Sequence, residues 1–94
     1  MFYVHVDLVV NPKSLAALEN IYKEAFVRAV SAQQGFVAVN LLQACDDDSS
    51  CLLVIAFANR DLQQKWVATD LHQHLWPQIE ACCTSYKVYT FRSI

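Results

Sequence analysis

The stretch Leu52-Leu53-Val54-Ile55-Ala56-Phe57 is apolar at every position. A strand with one face in water alternates apolar with polar residues, whereas a strand written without alternation expects cover on both faces. The rest of the chain has to supply that double cover. At 94 residues it has the length of one domain, and a chain this short buries only roughly 60–65% of the surface its unfolded form exposes. Yet 55% of its residues are apolar and only 17% are charged, against about 45–50% and about 25% in ordinary globular domains. The surplus apolar surface calls for a partner or a ligand.

Before this run, Val4, Val6, Leu8 and Val10 alternate with Tyr3, His5, Asp7 and Val9, the period of a strand. Asn11-Pro12 supplies a helix cap followed by proline at the first helical position. Leu15, Leu18, Tyr22, Ala25, Phe26, Ala29 and Val30 then recur at threes and fours, with Glu19, Lys23, Glu24 and Arg28 on the other side. The helix should end near Gln33 or Gln34, because Gly35, the only glycine, suits the left-handed residue that follows a helix. Residues 36–44 read as a second strand, Asp46 to Ser50 as an acidic hairpin loop, and Cys51 to Ala58 as the third strand. Asn59 can cap a second helix bearing Leu62 and Trp66, and Thr69 or Asp70 can cap a continuation bearing Leu71, Leu75 and Ile79. Pro77 predicts that this region is kinked or in two pieces. Tyr86 to Phe91 alternates as the last strand.

Residues 1–94 therefore predict a single α+β domain of order β-α-β-β-α-β, with an antiparallel sheet and both helices over the face of Val4, Val6 and Leu8, in a ferredoxin-like arrangement. The opposite face would be bare, and a second copy laid on it would give a homodimer. The formal charge of −2, with lysine and arginine scattered along the chain, offers no basic stripe for nucleic acid. No apolar run approaches the ~18–20 residues that span a bilayer, and the opening residues lack the basic region of a signal peptide. The expected compartment is the cytoplasm. Cys45, Cys51, Cys82 and Cys83 form neither a CxxC pair nor a zinc spacing, so they read as small apolar thiols. Cys45 and Cys51 flank the expected hairpin loop, which leaves a disulfide between them as a minor alternative. Without a converging ligand set or a phosphate-binding glycine loop, no metal, flavin or other cofactor is expected.

In order and spacing, the opening strand with Asn11-Pro12-Lys13, the Gln34-Gly35-Phe36 turn, Leu41-Leu42-Gln43, Asn59-Arg60-Asp61-Leu62 and Trp66-Val67-Ala68-Thr69-Asp70-Leu71-His72 resemble the dimeric α/β-barrel superfamily, and within it the antibiotic biosynthesis monooxygenase-like domains. The resemblance covers nearly the whole chain. It implies two ferredoxin-like subunits paired face to face, each with a ligand pocket between sheet and helices. Many monooxygenase-like members carry a glutamate late in strand three and a Pro-His step in the second helical region, where this chain has Ile55 and Asp70-Leu71. Haem-degrading members use an asparagine in strand one, a tryptophan in helix two and a histidine ligand further on. Here Asp7, Trp66 and Trp76 stand at those places.

Tyr3, His5 and Asp7 share one strand face, and a carboxylate beside an imidazole suits proton abstraction from an acidic phenol or enol, which makes His5 and Asp7 the candidate catalytic pair. Asn40, the polar member of strand two, can bond a substrate carbonyl. Trp66, placed in the pocket by the resemblance, would wall a planar ligand, and His72 would line its mouth. His74 turns away from His72 and Trp76. Asp46-Asp47-Asp48 lacks the glycine and distant glutamate of a calcium loop. The expected pocket is thus one cavity lined by Tyr3, His5, Asp7, Asn40, Trp66 and His72. Two readings follow. One is a monooxygenase-like enzyme, needing no cofactor, that acts on a small planar aromatic, quinol or polyketide-like substrate. The other is a non-catalytic dimeric ligand-binding or stress-associated protein of the same fold, or a haem-binding relative.

Overall fold

In the computed structural model, which describes residues 1–94, strand β1 runs from Phe2–Val10 and leads through a tight turn at Pro12–Ser14 into helix α1. Asn11 caps that turn by accepting from the Lys13 backbone N–H. Helix α1 covers residues 15–31 and is α-helical except for a wider π turn at Tyr22–Phe26. The turn out of it passes through Gly35, whose φ of 81° lies in the left-handed region that only glycine enters freely. A Cβ at Gly35 would also collide with the Leu62 side chain, so the turn out of α1 is locked against the next helix.

Strands β2 (Phe36–Ala44) and β3 (Asp47–Phe57) form a hairpin, followed by α2 (Arg60–Val67), α3 (Asp70–Glu80) and β4 (Cys83–Arg92). The sheet is antiparallel throughout, in the order β2-β3-β1-β4. The hairpin is tighter than the acidic composition suggests. Only Cys45 and Asp46 lie between the strands, and β3 begins at Asp47, opposite Ala44. Beyond that pair the register shifts, so Asp48 to Ser50 bulge out of the ladder with β2, and there Ser49 donates its backbone N–H and its hydroxyl to Asp47 Oδ1. Across the shift Cys51 stands opposite Gln43 while Cys45 lies in the turn, so the two thiols do not face each other. All four cysteines are free.

The second helical region is in two pieces, and the break falls at Ala68-Thr69, where the sequence offers Thr69 as the cap of a continuation. Asn59 caps α2 and Thr69 caps α3, each side chain accepting a backbone N–H of its first turn, from Leu62 and His72 respectively. Pro77 rides inside α3.

Residues of even number in β1, from Phe2 to Val10, are all buried, as are Leu53, Ile55 and Phe57 of β3. They pack under Leu18, Phe26, Ala29 and Val30 of α1, Trp66 of α2, and Leu75 and Ile79 of α3. The other face of the sheet carries no helix. The molecule measures 35 × 30 × 18 Å, its shortest side being that of one sheet and one helical layer. No helix is long and apolar enough to cross a membrane.

Candidate functional site

The helices cover the sheet unevenly. They lie over β3 and β1 but leave the inward side chains of β4 partly open, with Tyr86 41% and Val88 49% exposed. Beside those two residues a cavity of about 210 Å³ enters the layer between sheet and helices. Its floor is Val4, Val6, Leu53 and Ile55. Its walls are Phe26 from α1, Gln63, Trp66 and Val67 from α2, and His72 and Trp76 from α3. A larger recess of about 350 Å³ opens at the end of the sheet around Phe2, Asn59, Arg60 and Arg92. It is a surface hollow at a strand end, whereas the aromatic slot is built from side chains of the core itself.

Aromatic rings run through the slot in a chain of contacts. Phe26 meets the buried Trp66 edge-on at 5.9 Å, and Trp66 meets His72 edge-on at 5.0 Å. His72 lies parallel to Trp76 at 6.4 Å, and Trp76 meets Tyr86 edge-on at 5.4 Å. The i, i+4 spacing of His72 and Trp76 in α3 puts both on the slot side of that helix. Polar groups are few. Gln63 is buried and accepts a hydrogen bond from Gln64 Nε2 at 2.9 Å. The Tyr86 hydroxyl donates to Glu80 at 3.3 Å. His72 Nδ1 is sealed from solvent without a partner, and burial holds its imidazole below the usual histidine pKa.

Of the residues singled out from the sequence, the slot gathers Trp66 and His72. Tyr3, His5, Asp7 and Asn40 are elsewhere. Pairing places Asn40 opposite Val54 and Val54 opposite His5, so Asn40 and His5 stand on one rung of the bare face, with Tyr3 and Asp7 above and below. His5 packs edge-on against Phe91 at 4.9 Å, and Asp7 is exposed. The six residues expected to line a single cavity are therefore divided between the two sides of the sheet, Trp66 and His72 in the slot and Tyr3, His5, Asp7 and Asn40 on the bare face. The physical reason is the strand period itself. Once Val4, Val6 and Leu8 face the helices, their neighbours in sequence must face away. Trp76 and Tyr86 were missed as slot residues. The i, i+4 relation to His72 signals the first, and the second becomes visible only through the pairing of Tyr86 with Leu8.

No cluster of three or more His, Cys, Asp or Glu side chains is placed to hold a metal ion. Cys51 and Cys82 are buried and Cys83 half-buried. Burial, reinforced by its Cys82, Cys51 and Glu80 neighbours, pushes the Cys83 thiol up to about 11.

A family model of antibiotic biosynthesis monooxygenase matches residues 1–76, a span that includes Trp66, His72 and Trp76. The chain belongs to the antibiotic biosynthesis monooxygenase family. Among solved structures it is similar to a conserved protein from Methanosarcina mazei Go1, with a TM-score of 0.90 at 12% identity, over 99% of this chain and 92% of that one. It is also similar to an antibiotic biosynthesis monooxygenase, with a TM-score of 0.87 at 18% identity, over 100% and 99% of the two chains. A third is a point mutant of SnoaB, a cofactor-independent oxygenase from Streptomyces nogalater, with a TM-score of 0.89 at 17% identity, over 98% and 91%. At such identities these likenesses speak for the fold. A search of curated proteins finds no match. Within the antibiotic biosynthesis monooxygenase fold, then, this chain joins a slot walled by Trp66, Trp76 and Tyr86 to an otherwise unpartnered imidazole.

Proposed function

We propose that the chain is a monooxygenase-like enzyme whose substrate, a small planar aromatic, quinol or polyketide-like molecule, lies in the slot against Trp66 and itself supplies the electrons that reduce oxygen. The observation that carries this reading is the aromatic-walled cavity. Its 210 Å³ is below the roughly 300–1,000 Å³ of drug-sized pockets, so it suits a small ring system whose remainder projects past Tyr86. Flat apolar walls hold a planar molecule by ring contacts worth about 0.5–1.5 kcal/mol each beyond area burial. The membership of the family and the likeness of the fold to a cofactor-independent oxygenase support the same chemistry.

Within the slot this chain's residues bind and orient. Trp66 and Trp76 fix the plane of the ligand, and the low polarity around it strengthens any hydrogen bond made there. His5 and Asp7 lie across the sheet from the slot, so a proton passed from a slot ligand to either would have to cross the sheet.

Oxygen uptake with 1,4-naphthohydroquinone and with anthrone tests the reading. The protein should accelerate uptake, and Trp66→Phe, which keeps the core filled while shrinking the wall, should lower the enhancement at least about tenfold. If neither substrate is turned over although both bind, the enzymatic reading fails. The slot would then serve a ligand-binding protein, a reading favoured by its scarcity of polar groups.

A further inference from the structure

The slot contains a polar ring whose hydrogen-bonding capacity the fold leaves unused. His72 uses its backbone N–H to close the Thr69 cap at 3.2 Å, but its imidazole bonds to nothing in the chain. Its two nitrogens are not equivalent. Nδ1 is sealed from solvent and unpartnered, whereas Nε2 is not sealed. A buried N–H without an acceptor is rarer and costlier than an unfilled lone pair. Nδ1 is therefore the lone-pair nitrogen, and the proton sits on Nε2.

The surroundings keep the ring neutral. Protonation would put a second N–H at the sealed Nδ1, and it would place a cation in the first turn of α3, where the helix dipole is positive. Around the slot the elements packed on His72 present Phe26 from α1, Gln63 and Trp66 from α2, Trp76 from α3 and Tyr86 from β4. Tyr86 is the titratable group among them, and its hydroxyl is turned to Glu80. Asp70, in the same first turn, is exposed. Burial alone lowers the imidazole's pKa, with no carboxylate raising it.

We propose that His72 meets the slot's ligand as a neutral Nε2–H donor, so that the ligand is a small planar molecule presenting a ring carbonyl or phenolate-type oxygen. This rests on the slot being the ligand site proposed above. A neutral donor fixed beside such an oxygen stabilises negative charge that gathers there as an adjacent C–H or O–H is lost, without itself taking the proton. His72 is on this view a specificity-determining hydrogen-bond donor, and the slot discriminates a carbonyl-bearing ring from the bare hydrocarbon.

Two measurements test it. A long-range ¹H–¹⁵N spectrum of the free protein at neutral pH, assigned with His72→Gln, should show a pyrrole-type Nε2 and a pyridine-type Nδ1 for His72. The opposite tautomer, or an imidazolium, overturns the proposal. Binding of 1-tetralone is then compared with binding of tetralin, which lacks only the carbonyl oxygen, by the indole N–H shifts of Trp66 and Trp76. His72→Phe should weaken 1-tetralone about five- to tenfold and leave tetralin unchanged, and His72→Gln, which offers an N–H near Nε2, should restore most of the loss. Equal loss of both probes, or no loss of either, overturns the proposal. If neither probe moves the wild-type indole resonances, the slot reading fails and takes this proposal with it, whereas a wrong tautomer sinks the proposal alone.

Discussion

Trp66 is 1% exposed and touches both the Phe26 ring of the core and the His72 ring of the slot, so one side chain belongs to the core and to the slot wall together. Trp66→Ala should cost about 3–5 kcal/mol in urea unfolding, the range for emptying a buried aromatic, which is why the milder Trp66→Phe is the informative variant for function. His72 carries a pH signature of its own. Its folded-state pKa lies below the ordinary value, so the unfolded chain takes up a proton more readily. The stability from keeping His72 neutral is complete above the ordinary histidine pKa of about 6.5, and it is lost as pH falls from there through the folded-state value. Urea midpoints at pH 7.5 and 5.5 should drop further for the wild type than for His72→Phe. Equal drops would mean that His72 does not contribute. His5 and Asp7 show what residue-level reading could and could not give. Period two correctly grouped them with Tyr3 on a face away from the apolar core, but it says nothing about what lies beyond that face. The family resemblance then drew them towards Trp66. His5→Ala or Asp7→Ala that lost tenfold or more in oxygen uptake would return the chemistry to the bare face and overturn the slot reading.

At the scale of elements, local signals did well where a side chain closes a backbone bond. Asn11, Asn59 and Thr69 all cap as their chemistry predicts, and Gly35 takes its positive φ. Thr69→Ala should cost about 1 kcal/mol of stability and loosen the first turn of α3, in which His72 sits. Gly35→Ala meets two penalties, the left-handed backbone and the collision with Leu62. It should destabilise by more than about 1 kcal/mol in thermal or urea unfolding, and adding Leu62→Ala should not recover the backbone part. Elements were less legible where the backbone ignores side-chain propensity. Asp46 to Ser50 read as a loop, yet β3 already begins at Asp47 and only the register shift across Asp48 to Ser50 sets them apart from the ladder with β2. The π turn at Tyr22–Phe26 has no proline or glycine to mark it, and the apolar stripe through it is regular enough to hide it. The two-piece second helix was legible in the Thr69 cap, whereas Pro77, which also told against one uninterrupted helix, lies inside α3.

The molecule as a whole is one sheet with its helices on one side. Its bare face presents Ala38, Ala56, Tyr3 and Phe91 on one rung, Asn40, Val54, His5 and Tyr89 on the next, and Leu42, Leu52, Asp7 and Lys87 on a third. Leu42 and Phe91 are each about half exposed, at 51% and 50%. The uninterrupted apolar run in β3, which first suggested cover on both sides, thus has its helices on one side only. A second copy laid on the bare face would complete it. Sedimentation equilibrium at micromolar concentration should give twice the 10.7 kDa chain mass, and Val54→Asp should give a folded monomer. A wild-type monomer would mean that the face is tolerated in water or is covered by something else. The sheet order has one further effect, on how the chain acquires its shape. Of the four strands, the first to be made, β1, has a neighbour on each side, Phe2 standing opposite Phe57 on β3 and Arg92 on β4. Such distant pairings fold slowly, and a nascent chain halted before β4 would hold a largely apolar strand with one edge unpaired, a natural substrate for chaperones until β4 emerges.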